Sequence, residues 1–439
     1  MRIANCELAR YNCLPMDAVP EREVRRSFAL GVFNGAAFRF AEALIDPPLV
    51  LTWFVSQLTS SNLLIGLVAP LGNAAWFLPQ VFVSARIQRM ERKMPSYALA
   101  AVMRTVVWLL LGVVVWLVDD PRFLLAGFFV MYGVARMSAG LGGLAFFDVM
   151  AKTIPARRRG SFFAWRQFLG GALGLGAGWV LKTVLNHPAL PFPRGHAVLF
   201  FLYCAVMIPS LAAFVFIREP PGVVVSQPVT VGAQLRRARR LLRADKVYRH
   251  YMAAQLALGL AWVALPFYGI LAKSVLGAPE GMVGVYVAAR VGAQLFSNLL
   301  WGSLSDRRGN RLVMRLLGLG NGLAALLALV LLGVVGLLRP QGAWLPYLAV
   351  PLFLLDGAVR PGQVLVGSNF LLELVPEAER SLYLGLSNTL MGVVVLVSGL
   401  GGLLVDLFGF AGPFVASLGL CLAGYVLTSR LPEPRETAG

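Results

Sequence analysis

An all-α polytopic membrane protein with about twelve transmembrane helices is predicted by two properties of this 439-residue chain. Hydrophobic residues make up 58% of it and charged residues 14%, with a mean hydropathy of +0.73, a balance that soluble domains of this size do not carry. The apolar residues also fall into about twelve runs, each near the roughly 20 residues a helix needs to cross a ~30 Å hydrocarbon core. The runs are continuous rather than alternating, so helices and not the strands of an outer-membrane barrel satisfy the backbone in lipid.

The first run, 28–57, follows a polar tail over 1–27 that mixes Glu7, Asp17, Glu21 and Glu23 with arginines and holds nothing resembling a secretory signal. It carries Arg39, Glu42 and Asp46 at i, i+3 and i+7, on one helical face. Pro47 and Pro48 follow, and Pro48 cannot donate to the carbonyl of Leu44, which opens the ladder beside Asp46. The second run, 62–83, places Asn73, Trp76 and Gln80 at the same spacing, where they can shape a pocket or pack helices. The third, 96–118, rests on apolar length alone. The fourth, 123–150, holds Arg136 about half-way, where an arginine costs roughly 2.5–3.5 kcal/mol unless it is paired or hydrated. The fifth, 162–186, has Gly170, Gly174 and Gly178 at four-residue intervals, a stripe for close helix contact.

The sixth run, 197–217, stops at Pro220-Pro221-Gly222, and the basic amphipathic stretch 234–243 then predicts an interfacial linker helix within a segment 218–249. The seventh, 250–276, contains Trp262 and Tyr268; the eighth, 281–304, contains Arg290. The ninth is 312–338. The tenth, 345–372, sets Asp356 and Arg360 at i, i+4 on one face. The last two are 382–408 and 410–429, leaving 431–439 as a second tail.

The net charge of +18 would suggest nucleic acid in a soluble chain, but the placement of the basic residues points elsewhere. An even number of spans puts both termini on one side, together with Arg22, Arg25, Arg26, Arg86, Arg89, Arg92, Lys93, Arg157, Arg158, Arg159 and the linker arginines; the opposite loops offer little beyond Arg122, Arg194 and Arg339. This bias predicts cytoplasmic termini in a bacterial inner membrane, with contact to lipid and none to nucleic acid. Cys6, Cys13, Cys204 and Cys421 form no C-x-x-C pair, so no disulfide frame, metal or cofactor is expected. The three histidines, His187, His196 and His250, fall at or beyond span ends, and no hydrolase, zinc or phosphate-loop motif is present; the expectation is that the chain is not an enzyme.

The chain reads as two similar halves, 28–217 and 250–430. Aligning Arg136 with Arg360 gives an offset of 360 − 136 = 224, whereas Arg89 with Arg307 gives 307 − 89 = 218, with Gly66 opposite Gly284.

Between runs eight and nine, Gly302-Ser303-Leu304-Ser305-Asp306-Arg307-Arg308-Gly309-Asn310-Arg311 resembles the signature loop G-x-L-x-D-R-x-G-x-R of the major facilitator superfamily of secondary transporters. The resemblance implies a cytoplasmic gate in which Gly302 allows close helix approach, Asp306 and Arg307 pair across helix ends near Gly309, and Arg311 stays in water. Arg89 is the first-half counterpart, but Ser84, Gln88 and Glu91 stand where Gly302, Asp306 and Gly309 stand in the second half. The second copy is therefore expected to dominate the latch. Arg136 to Gly142 resembles the superfamily's R-x-x-x-G-x-G element, associated in proton-driven members with proton movement. Leu175 replaces the proline of the antiporters' fifth span, and Gly72–Gln80 with Ser161–Gln167 resemble a bacterial branch. In the implied fold, spans 1, 4, 7 and 10 line a central cavity, so Arg39, Glu42, Asp46, Arg136, Asp356 and Arg360 would face or border it.

The expected function is secondary active transport of a small organic solute by alternating access, coupled to protons, in a monomer. Asp46 is the expected proton carrier, switched by movement of Arg136 or Arg39. With Arg290 included, four arginines stand against three carboxylates in the buried set, which points to an anionic or zwitterionic cargo, while Glu42 and Asp46 would equally take protons or an organic cation. A static set of salt bridges, a drug/proton antiporter and a nontransporting membrane assembly factor with a transporter fold remain as alternatives.

Overall fold

A computed structural model gives the fold and describes residues 20–87, 89–222, 243, 245–375 and 380–433. The tail up to residue 19, Gln88, the linker stretch 234–243 apart from Arg243, and the side chains of residues 78–87, including Gln80 and Arg86, lie outside the described residues. Among the described residues eleven helices are long and apolar enough to cross a membrane. They are span 1 (Glu21–Leu58), span 3 (Met94–Leu117), span 4 (Pro121–Thr153), span 5 (Arg157–Leu185), span 6 (Arg194–Val215), span 7 (Lys246–Ser274), span 8 (Met282–Arg308), span 9 (Asn310–Leu338), span 10 (Leu345–Leu371), span 11 (Leu386–Phe408) and span 12 (Ala411–Ser429). Span 2 is the helix Asn62–Ile87, 26 residues long. The predicted α-helical membrane bundle is what the chain forms.

Several helices outlast their apolar runs at the end that carries the termini. Span 1 begins at Glu21 rather than residue 28, because hydropathy marks the lipid-facing length while the helix continues as far as its end is satisfied. Glu21 and Glu23 occupy that first turn, complementing the helix dipole. Glu21 also accepts from Arg158 at 2.8 Å, tying span 1 to span 5. At Asp46 the helix breaks as the two prolines require: regular helix ends at Leu44 and a five-residue π turn runs over Pro47–Leu51. Helix resumes at Thr52, whose hydroxyl donates to the Pro47 carbonyl at 2.9 Å.

Spans 1–6 and 7–12 form two halves. The first half has a core running its height, from Tyr97 and Ile154 to Val115 and Leu124. Opposite the termini the halves share a core, in which Leu49, Trp53 and Leu181 pack with Phe267, Met282 and Tyr286. Nearer the termini the second half closes on itself around Tyr251, Trp301, Met314 and Phe370. Spans 5 and 8 cross closely between the halves, with a Cβ on Gly178 meeting the Gly284 carbonyl oxygen at 2.5 Å. Gly174 lies against Val291 and Gly170 against the stem of Arg39, so the glycine stripe of span 5 is a packing surface.

The internal repeat has a different register from the one that Arg136 and Arg360 suggest. Gly140 lets span 4 press on the backbone of Trp76 in span 2, and Gly357 lets span 10 press on that of Arg290 in span 8. These equivalent crossings relate 140 to 357, an offset of 357 − 140 = 217, and 76 to 290, an offset of 290 − 76 = 214, both nearer the 218 of the hinge loops than 224 is. The difference of seven residues is nearly two turns at about 3.6 residues each, so the slipped alignment preserves the helix face and sequence periodicity cannot reject it. Arg136 and Arg360 are not repeat mates.

A second pair of equivalent contacts closes each half. After span 6, Glu219 accepts from the backbone N–H groups of Lys93 at 2.9 Å and Met94 at 2.7 Å, capping span 3. Just after span 12, Glu433 accepts from the Arg311 backbone at 3.1 Å, capping span 9. Both carboxylates satisfy orphan helix donors and oppose the positive end of the dipole. The Glu-Pro pairs at 219–220 and 433–434 were the available sequence signal.

Candidate functional site

Span 1 is a polar ladder whose partners change from its own half to the other half along its length. Near the termini, Asn34 donates to the Ser210 carbonyl at 2.9 Å, and Arg166 reaches Asn34 Oδ1 at 3.2 Å. Two turns further, Glu42 pairs with Arg136 Nη1 at 3.1 Å and accepts from the Tyr203 hydroxyl at 3.4 Å. Arg136 Nε also donates to the Gly72 carbonyl at 3.3 Å. All of these partners belong to the first half.

At Asp46 the ladder crosses over. Arg290 of span 8 places Nη1 2.6 Å from Asp46 Oδ1 and 2.5 Å from Oδ2. Its Nε lies 2.5 Å from Asp356 Oδ2 on span 10, an ionic contact rather than a well-directed hydrogen bond. The Arg290 side chain is 6% exposed. Gly357 makes the arrangement possible, since only a residue without Cβ lets span 10 lie against the Arg290 backbone with Asp356 in reach. One guanidinium thus bridges two carboxylates, one from each half. The Pro-broken backbone at Asp46 gives its side chain a position that a continuous helix would not.

The expected switch of Asp46 by Arg136 or Arg39 is therefore corrected. Arg136 is occupied by Glu42, and Arg39 is exposed with its stem on Gly170. Spacing along span 1 put all three charges on one face but could not tell which neighbouring helix each would meet. Arg290 was visible as a buried charge in the eighth run; its role as the central partner needed the packing of spans 1, 8 and 10.

Arg360 stacks its guanidinium 5.7 Å from the centre of the Trp262 ring. Together with Tyr268, Asn321 and Asp356 they line a small recess of about 10 Å³, water-sized at most. Tyr268 lies flat on Phe414 with centroids 5.5 Å apart. Trp76 lines a larger cavity in the first half, whereas Asn73 is partly buried and lines neither of these two spaces.

Further along, away from the termini, the halves are latched by neutral and ionic groups. Lys273 of span 7 donates to Ser56 Oγ at 2.8 Å and to its carbonyl at 3.2 Å. Gln57 donates to Glu280 Oε1 at 3.0 Å, and the buried His196 ring places Nδ1 3.3 Å from the same oxygen. Asn62 of span 2 donates to Asp406 of span 11 at 2.7 Å. A joined core and these cross-half bonds close the molecule at the end remote from the termini.

Residues 251–439 match the family model described as Major Facilitator Superfamily. Across both halves the chain is similar in fold to a D-xylose-proton symporter, with a TM-score of 0.72 at 15% identity, covering 94% of this chain and 99% of that one. It is likewise similar to a POT family transporter solved with a thioalcohol-conjugated peptide (TM-score 0.68, 12% identity, 94% and 97% covered). A bacterial homologue of the iron transporter ferroportin, solved in an inward-facing state, gives 0.65 at 14% identity with 93% and 99% covered. No curated protein matches the sequence significantly.

Residues 251–439 carry the sequence pattern of the major facilitator superfamily, and the chain as a whole shares the fold of these solved structures.

The superfamily's signature loop is built differently from the expectation. Gly302 has open space where a Cβ would point, so it brings no helix close. Gly309 has φ 81°, a left-handed value that ends span 8 and starts span 9 beside the Glu433 carboxylate. Arg311 does not remain in water: its Nη2 donates to the Ser429 carbonyl at 2.5 Å. Asp306, Arg307 and Arg89 are exposed. The first-half loop, lacking the aspartate and both glycines, has a network of its own. Lys93 and Lys152 flank Asp148 at 2.6 and 2.7 Å, and Lys152 reaches Glu219 at 2.8 Å. Glu219 and Asp148 supply the charges that the first-half loop itself lacks.

Glu280, in the loop after span 7, should make closure of the remote end pH-dependent. Burial raises its carboxyl above the ordinary 4.5, more than Gln57 and Lys273 lower it. A raised acid favours the buried, protonated form: its contribution to closure is complete below 4.5 and is lost as pH rises through the raised value. Glu280→Gln should keep that closure across the same range. Accessibility of a cysteine at Ser56 to a membrane-impermeant reagent, measured from pH 4.5 upward, should rise in the parent and stay level in the variant.

Proposed function

We propose that the chain is a secondary active transporter that moves a small organic solute by alternating access and couples it to protons. The Asp46–Arg290–Asp356 bridge carries this reading, because its two carboxylates belong to different halves and share one cation. Rocking the halves apart must break the Asp46 contact, and a proton on Asp46 removes the penalty of leaving that carboxylate alone in a poorly hydrated site. Cargo entry then competes with the bridge, so that binding, protonation and closure are linked. Arg136 with Glu42 stays within the first half and positions the rest of span 1.

The molecule acts as a monomer in a cytoplasmic membrane. The exposed arginines around span starts near the termini, Arg22, Arg25 and Arg157 among them, favour the cytoplasmic face for that end. Closure at the remote end then corresponds to a cavity reached from the cytoplasm. Lipid is its only further partner, and its chemistry is translocation without covalent change.

Asp46→Asn tests the coupling. Proteoliposomes carrying the variant should lose pH-gradient-driven accumulation by at least about tenfold while keeping cargo exchange within a few-fold, the separation expected when a carrier of protons and not of cargo is removed. Accumulation with normal proton dependence would show that Asp46 is not the coupling group.

A further inference from the structure

The first half holds a cavity of about 290 Å³ that the bridge between halves does not use. Phe38, Trp76, Tyr97, Phe146 and Phe147 supply aromatic walls, and Arg104, Arg136 and Arg166 reach it from spans 3, 4 and 5. Glu42 is the one carboxylate among the described residues of its lining, and it is already held by Arg136. Arg166 is satisfied by the Gly31 carbonyl and Asn34 and lies 4.6 Å from the centre of the Phe146 ring.

Arg104 is different. It sits ten residues into span 3 and is 6% exposed. Its guanidinium lies 4.8 Å from the Phe38 ring centre, and its Nη2 finds only the Met207 sulfur at 3.9 Å. Among the described residues its Nε has no acceptor and no carboxylate comes within 4 Å. A thioether and a ring face are weak partners for a buried guanidinium. A buried guanidinium of this kind is stable in an apolar bundle when an anion completes it.

We propose that this cavity is a binding site for an organic monoanion with a flat apolar body, its carboxylate taken by Arg104 and its body held by the aromatic walls. The volume lies at the small end of ligand pockets, which suits a single-ring acid. The inference rests on the transporter reading for its meaning, as the class of cargo, but not for its test: binding to the purified chain needs no gradient, so it stands or falls separately from the accumulation experiment on Asp46.

The test uses the full chain in phosphatidylcholine nanodiscs, which carry no net lipid charge, with benzoate as probe at constant ionic strength. Benzyl alcohol, benzylamine and inorganic phosphate serve as neutral, cationic and non-aromatic comparisons. Benzoate should bind and raise the thermal midpoint, and the three comparisons should bind at least about tenfold more weakly. Arg104→Gln should weaken benzoate by about tenfold or more, Arg104→Lys by less, and Arg315→Gln on span 9 should leave it unchanged. Equal binding of benzyl alcohol by the parent chain, or no benzoate binding up to about 10 mM, overturns the proposal without reference to any variant. Unaltered benzoate affinity in a folded Arg104→Gln also overturns it, and tighter phosphate than benzoate binding assigns the pocket to an inorganic anion instead.

Discussion

Arg290→Met should be the most damaging single substitution in the membrane interior. It leaves Asp46 and Asp356 facing one another without the cation that lies 2.5 Å from each. Removing one member of a buried ion network costs about 3–5 kcal/mol, since the remaining charges stay desolvated. Thermal unfolding in detergent should show a large drop in midpoint, and transport should fall below detection. The triple variant Asp46→Asn, Arg290→Met, Asp356→Asn should regain most of the stability but no proton dependence, because neutral side chains carry no unpaired charge and no switch. A stable Arg290→Met protein with normal coupling would remove the bridge from the mechanism.

Gly284→Val should act with comparable force through shape rather than charge. A Cβ at Gly284 runs into the Gly178 carbonyl and the backbone of Lys182, and backbone cannot yield as a flexible side chain would. Spans 5 and 8 would be pushed apart at the end remote from the termini, so the closed state there becomes inaccessible while each half keeps its own core. Transport should drop by more than about tenfold, as expected when one of two required states is depopulated. A cysteine at Ser56 should become reactive at all pH values. Substitution at Gly333, with open space around it, should do neither.

Particular residues show why some of the molecule could be read before its structure. The helices were legible because lipid imposes a length and a continuous apolarity on each, and Pro47-Pro48 announced the break at Asp46 because proline withdraws a donor wherever it stands. Helix ends were less legible: the helix at Glu21 continues through polar turns that hydropathy does not register. The site was legible only as an inventory. Glu42, Asp46, Arg136, Asp356 and Arg360 were visible as charges at depth, yet Arg104 in span 3 and the central role of Arg290 were missed, because a lone arginine in an apolar run says nothing about which helix it faces.

Sequence alone determined that this chain lives in a membrane as a bundle of long helices in two halves, since composition, span length and charge asymmetry are set by solvents that act on each segment separately. Its hinge signature likewise pointed to the superfamily whose model residues 251–439 match. Tertiary structure alone decided the repeat register, the pairing of Asp46 with Arg290, the capping by Glu219 and Glu433, and the isolation of Arg104. Those outcomes depend on rotation and approach between helices far apart in the chain. A seven-residue slip or a glycine with space beside it looks the same in sequence, and only contact between backbones tells them apart.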